Sequence, residues 1–84
     1  MFTVYILRTS SDTLYIGQAK NLEKRLLEHK NKTAKSAKYM RYFRSFTLVY
    51  TEGKRTRSAA LRREAELKRF TRRQKEVLIA GKTL

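Results

Sequence analysis

Apolar residues in this chain fall into short runs whose period changes along its length. Residues 2–7 are rich in β-branched and aromatic types, as a strand requires. Phe2, Val4 and Ile6 share one face, and Thr3, Tyr5 and Leu7 the other. Residues 8–13 are polar, with side chains that bond their own backbone in turns. Residues 14–17 then read as a second strand, with Leu14 and Ile16 on one side and Tyr15 on the other. The two strands are predicted to form an antiparallel hairpin that brings Tyr5 and Tyr15 side by side. A third strand is predicted over 46–52, where Phe46, Leu48 and Tyr50 alternate with Thr47, Val49 and Thr51.

Between and after the strands the period becomes helical. Asn21 suits an N-cap, Glu23 lies in the first turn, and the helix is predicted to run to about Lys30. Leu22, Leu26 and His29 cluster on one stripe, with Arg25 at its edge. Residues 31–36 are basic and polar and read as a loop; 36–43 are predicted to form a short helix. A long helix is expected over 56–70. Thr71 and Gln74 fit a capping box that starts a separate last helix, which Gly81 stops. The order β-β-α-β-α-α predicts an α+β fold, a small three-stranded sheet with helices packed on it. At 84 residues, with no repeat and no proline, the chain is read as a single domain over 1–84.

Charge changes this picture. There are 21 Lys plus Arg against 7 Asp plus Glu, a formal net charge of +14. Such a surface is the electrostatic footprint of nucleic-acid binding. A membrane surface also attracts Lys and Arg, but no segment pairs a long apolar face with the basic one, so no membrane partner is expected. Nine Lys or Arg lie from Lys20 to Arg44 and ten from Lys54 to Lys75. Lys20, Lys24, Lys35, Lys38, Arg41, Arg44 and Lys68 are the candidate nucleic-acid contacts. Tyr39, Tyr42 and Phe43, interleaved with the first group, suit either base stacking or packing against the third strand. There is no Cys, which excludes disulfides and thiolate metal sites. With neither a spanning apolar run nor a secretory leader, a cytoplasmic location is expected.

The long helix carries a conflict. With Ala60 placed at 0°, Leu61, Ala65 and Leu67 fall at about 100°, 140° and 340° and define the expected buried face. Glu64 and Lys68, at about 40° and 80°, fall inside that sector, whereas Arg62, Arg69 and Glu66 fall outside it. An inward carboxylate must be paired, hydrogen-bonded or bound to a cation. The plain alternative is an i,i+4 pair with Lys68. Tyr5 and Tyr15 have an equally plain alternative as a cross-strand aromatic pair, Arg25 as a surface cation and His29 as a half-buried structural ring.

Taken in order, these residues resemble a known pattern. Thr3-Val4-Tyr5, then Tyr15-Ile16-Gly17, then 21–29 (NLEKRLLEH) and 60–68 (ALRREAELK) are similar to the GIY-YIG nuclease family, and 71–76 (TRRQKE) to the tail of its small stand-alone bacterial members. The resemblance runs over essentially the whole chain. It implies a three-stranded antiparallel sheet flanked by helices and metal-dependent hydrolysis of DNA phosphodiesters, with Mg²⁺ or Mn²⁺ as the cofactor. Carried over, Glu64 would hold the metal, Arg25 would stabilise charge on the phosphate, and Tyr15 would help activate the attacking water. Tyr5 would position the phosphate or share that role, and His29 would support. Two departures stand out: only the Tyr of the first triplet is kept, and Gln18 stands where the family's excision-repair nucleases carry a Lys, leaving Lys20 as the nearest substitute. The expected function is a structure-dependent or nonspecific DNA endonuclease, in repair or recombination. A noncatalytic module binding DNA or RNA is the alternative. No small-molecule cofactor is expected.

Overall fold

The computed structural model describes residues 1–31 and 45–81. Its elements are β1 (Phe2–Thr9), β2 (Leu14–Ala19), α1 (Leu22–Lys30), β3 (Phe46–Lys54), α2 (Arg57–Lys68) and α3 (Arg72–Ile79). The order expected from the sequence holds. The predicted short helix over 36–43 lies outside the described residues, as does the predicted loop apart from Asn31, which caps α1.

β1 is the middle strand, antiparallel to β2 on one side and to β3 on the other. Both of its faces are covered: Val4, Tyr5, Ile6 and Leu7 are buried in succession. Val4 and Ile6 meet Ile16, Ala60 and Leu67, with Phe70, Leu78 and Ile79 around them, so α2 and α3 close this face. Tyr5 and Leu7 meet Ala19, Tyr15, Leu22, Leu26 and Phe46, so α1 closes the other. Burying an aliphatic side chain of this size contributes about 1.5–3 kcal/mol. The molecule is therefore a three-layer stack on one strand.

The helices start where the sequence places them because capping is local chemistry. The side chains of Asn21, Thr56 and Thr71 accept from the backbone N–H of Lys24, Ala59 and Gln74. Gln74 returns the bond to the Thr71 N–H at 2.8 Å, completing the capping box. Gly81, at φ 73°, takes the left-handed conformation that follows a helix end.

Two expectations need correction. In β3 the pairing runs Ile6 with Tyr50 and then Leu7 with Leu48, so Val49 is an extra residue. That bulge breaks the alternation. Val49 and Tyr50 both reach the α2 side, while Phe46 packs on the α1 side. In α2, Leu61 and Ala65 are exposed, and only Ala60 and Leu67, two turns apart, are buried against the sheet. The contact stripe is narrow because the small Ala60 lets one line of the helix sit close to the strands.

The hairpin turn and α3 are tied together by charge. The Arg8 guanidinium grips Glu76 with bonds of 3.0 and 2.6 Å and Asp12 with one of 3.0 Å. Arg72 bonds Glu76 at 2.9 Å and the Asp12 carbonyl at 2.7 Å. Hydrogen bonds from Arg8 and Arg72 hold the Glu76 carboxyl down to about 2. Exposed pairs contribute little singly, but this network fixes where α3 leaves the sheet.

Candidate active site

Tyr5, Tyr15, Arg25 and His29 converge on the α1 side of the sheet. In the hairpin register Tyr5 lies opposite Gly17 and Tyr15 opposite Leu7. The two tyrosines are thus diagonal neighbours rather than a directly opposed pair, with ring centroids 6.4 Å apart. His29, projecting from α1, closes the group. Its ring lies edge-on to Tyr15 at 5.5 Å, to Tyr5 at 6.2 Å and to Phe46 at 6.2 Å.

Gly17 makes this arrangement sterically feasible. A Cβ built on it would lie 2.6 Å from the Tyr5 hydroxyl oxygen and 2.8 Å from Tyr5 Cζ. The Tyr5 ring lies across the backbone of β2, in space that any side chain would fill. Sequence reasoning gave this glycine no role; glycine inside a strand pattern is the available signal, since it marks a close approach.

The Tyr5 hydroxyl is the hub. It shares a hydrogen bond of 3.0 Å with His29 Nε2, its direction set by the imidazole tautomer. Burial, with help from Tyr15, pushes the Tyr5 pKa up to about 12, against the pull of the Arg25 guanidinium, which hydrogen-bonds the phenol. Glu64 is near enough for its charge to oppose the phenolate as well. One hydroxyl therefore senses residues from β1, β2, α1 and α2. At neutral pH it carries its proton.

His29 is buried, rather than half-buried as the sequence suggested. Burial foremost, then the Arg25 charge, lowers its pKa to about 4. The unfolded chain takes up this proton near pH 6.5 and the folded one only near 4. The associated stability is complete above pH 6.5 and lost as pH falls toward 4. The linkage is worth on the order of 3 kcal/mol. Denaturant melts should show stability falling steadily from pH 7 to pH 4.5. A flat profile across that interval would show that His29 titrates normally.

Arg25 is held from behind by Glu28, whose Oε1 accepts from its NH1 at 3.1 Å. The carboxylate of Glu28 is only 17% exposed. On the helical wheel Glu28 points away from the Leu22, Leu26 and His29 stripe, so sequence reasoning assigned it no part in the site, although i,i+3 from an arginine is a spacing that makes ion pairs. Beside Arg25 an open groove of about 840 Å³ runs past Gln18, Lys20, Asn21 and Lys24. Lys20 and Lys24 are exposed there, as expected of phosphate contacts.

Glu64, on α2, is 18% exposed and paired with Lys68 Nζ at 3.1 Å. The inward bias expected of Glu64 is present. Lys68 is not inside the apolar sector, since its side chain is 58% exposed. Among the described residues no group of three His, Asp or Glu converges to cage a metal. Lys35, Lys38, Arg41 and Arg44, with Tyr39, Tyr42 and Phe43, lie outside the described residues. No helix among the described residues is long and apolar enough to cross a membrane.

Comparison with known proteins agrees with this geometry. The family model for the GIY-YIG catalytic domain matches residues 1–77. A UPF0213 protein from Staphylococcus saprophyticus is 43% identical over 77 residues, covering 92% of each chain. Another from Natronomonas pharaonis is 41% identical over 80 residues, covering 95% of this chain and 92% of its own. The solution NMR structure of a UPF0213 protein from Bacillus halodurans superposes with a TM-score of 0.61 at 35% identity, covering 98% of this chain and 86% of that one.

Proposed function

The chain belongs to the GIY-YIG family, and from that membership we propose that it is a metal-dependent nuclease that hydrolyses DNA phosphodiesters, selecting DNA by structure or not at all. The observation that carries the reading is the Tyr5 hydroxyl, which bonds His29 and is reached by Arg25, with Glu64 close enough for its charge to be felt there.

The donor set suits a particular kind of cation. One carboxylate, that of Glu64, is too little for zinc or calcium. It is enough for Mg²⁺ or Mn²⁺, which keep several waters and take further oxygens from a substrate phosphate. Binding should be weak until DNA arrives, and Lys68 must release Glu64 first. Once bound, the ion supplies Lewis-acid polarisation of a phosphoryl oxygen and charge stabilisation at the leaving oxygen.

The protein's own residues supply the rest. Arg25 presents a planar fork to the phosphate oxygens, and Glu28 keeps that fork from swinging. Tyr5, with its pKa near 12, donates a hydrogen bond to the phosphate instead of acting as a base. Tyr15, only half-buried beside it, hydrogen-bonds and orients the attacking water. His29 stays neutral and fixes the Tyr5 hydroxyl. Lys20 and Lys24 extend the positive groove along the backbone.

The test is incubation with labelled flapped, branched and single-stranded DNA in Mg²⁺, Mn²⁺ or EDTA. Product with either metal and none with EDTA is expected. Binding without cleavage in every condition would move the assignment to a noncatalytic module and make RNA the next ligand to try.

A further inference from the structure

Acidic and basic side chains are matched unevenly over this surface. Among the described residues, every acidic side chain except that of Glu23 sits in an ion pair. These pairs occupy Arg8, Arg25, Lys54, Arg63, Lys68 and Arg72. Among the described residues, Lys20, Lys24 and Lys30 on or beside α1 have no acidic partner, and neither do Arg55, Arg57, Arg62, Arg69, Arg73 and Lys75, a larger set on or beside α2 and α3.

Within that set α2 carries an ordered stripe. Ser58, Arg62, Ala65 and Arg69 recur at i, i+4, i+7 and i+11, so they line up along one side of the helix, opposite the buried Ala60 and Leu67. All four are exposed. Among the described residues Arg62 reaches the Ser58 hydroxyl alone, at 3.5 Å. Glu66, the nearest acid, is held by Arg63 and does not cancel the stripe. Two guanidinium forks about 10 Å apart, with small side chains between them, leave room for a phosphate backbone to lie directly on the helix.

This stripe cannot serve the backbone segment that Glu64 would hold. Arg62 and Arg69 project about 140–160° around the helix from Glu64, and Arg25 with its groove lies on the far face of the sheet. We propose that the outward face of α2 is a second phosphate-binding surface, and that the substrate is a branched or folded nucleic acid presenting two backbone segments at once. The substrate class rests on the nuclease reading above; the binding surface does not.

The experiment measures binding in EDTA, by fluorescence anisotropy, to a short linear duplex and to a three-way branched DNA of equal total length. Wild type is compared with Arg62→Gln/Arg69→Gln and, separately, with Ala65→Glu, which sets a negative charge between the forks. These side chains are exposed and outside every ion pair, so circular dichroism and melting should be unchanged. Both variants are expected to lose about tenfold in affinity for the branched DNA. They should keep duplex affinity within about twofold. For the double variant, the slope of log K against log salt on branched DNA should fall by about 2, as two phosphate contacts require.

Equal loss on both ligands, or no loss on either, overturns the proposal. So does a loss seen only with anionic phosphatidylserine vesicles, which would make the stripe a lipid contact. Because no step needs cleavage, a wild type that binds branched DNA through α2 but never cuts it would defeat the nuclease reading alone.

Discussion

Replacing Gly17 by alanine is expected to destabilise the protein by about 1–3 kcal/mol, the usual cost of overpacking a filled site, and to slow DNA cleavage at least tenfold. The added methyl would overlap the Tyr5 hydroxyl, with Cζ only 2.8 Å away. Tyr5 is fully buried between β2 and α1, so its ring has no free space to move into. Relief must come from a shift of Tyr5 or a splaying of the hairpin. Either one breaks the bond to His29 and moves the hydroxyl away from Arg25. A second change, Tyr5→Phe in the Gly17→Ala background, removes the clashing oxygen and should restore part of the lost stability but none of the activity. Equilibrium denaturation and single-turnover cleavage of the three proteins read this out. Wild-type stability in Gly17→Ala would mean that the close approach of ring and backbone is not a constraint.

Glu64→Gln should abolish cleavage while sparing the fold. A metal-bound carboxylate supports several kcal/mol of transition-state stabilisation, so a loss of about a thousandfold or more is expected. The structural cost should be small, because the one ion pair lost among the described residues is an i,i+4 contact with a mostly exposed lysine, worth a few tenths of a kcal/mol. DNA binding in EDTA should hold or strengthen, since a negative charge has gone and Lys68 is released. Melting and EDTA binding run beside the cleavage assay separate the two roles. A variant that unfolds would reassign Glu64 as a structural partner of Lys68.

Local chemistry and the antiparallel hairpin were legible in the sequence, and the register of pairing was not. The caps at Asn21 and Thr71 depend on side chains bonding backbone three residues away, so they can be read along the chain. The hairpin, the third strand and the inward bias of Glu64 followed from periodicity. The bulge at Val49 did not, because an extra residue shows only when a strand is laid against its partner. The same holds for Tyr5 and Gly17, which become opposed only in a register that strand composition does not set. What covers the Thr3, Tyr5 and Leu7 face of β1 is not set by strand periodicity; α1 covers it, which buries Tyr5 and His29 together. In α2, apolar type alone overstated the buried stripe, since Leu61 and Ala65 sit on flanks the sheet does not reach.

The central claim is that a tyrosine of β2 and an arginine of α1 act in one reaction centre. A double-mutant cycle of Tyr15→Phe and Arg25→Lys, read as single-turnover cleavage of one branched DNA in saturating Mg²⁺, tests it most directly. Both changes are conservative, so residual rates stay measurable. Residues that act as a unit are strongly non-additive. Each single variant is expected to be slower by about 10²–10³-fold, in the range for losing one transition-state contact, and the double variant scarcely slower than the worse single one. Losses that multiply, or a single variant that cleaves like the wild type, would contradict a shared site.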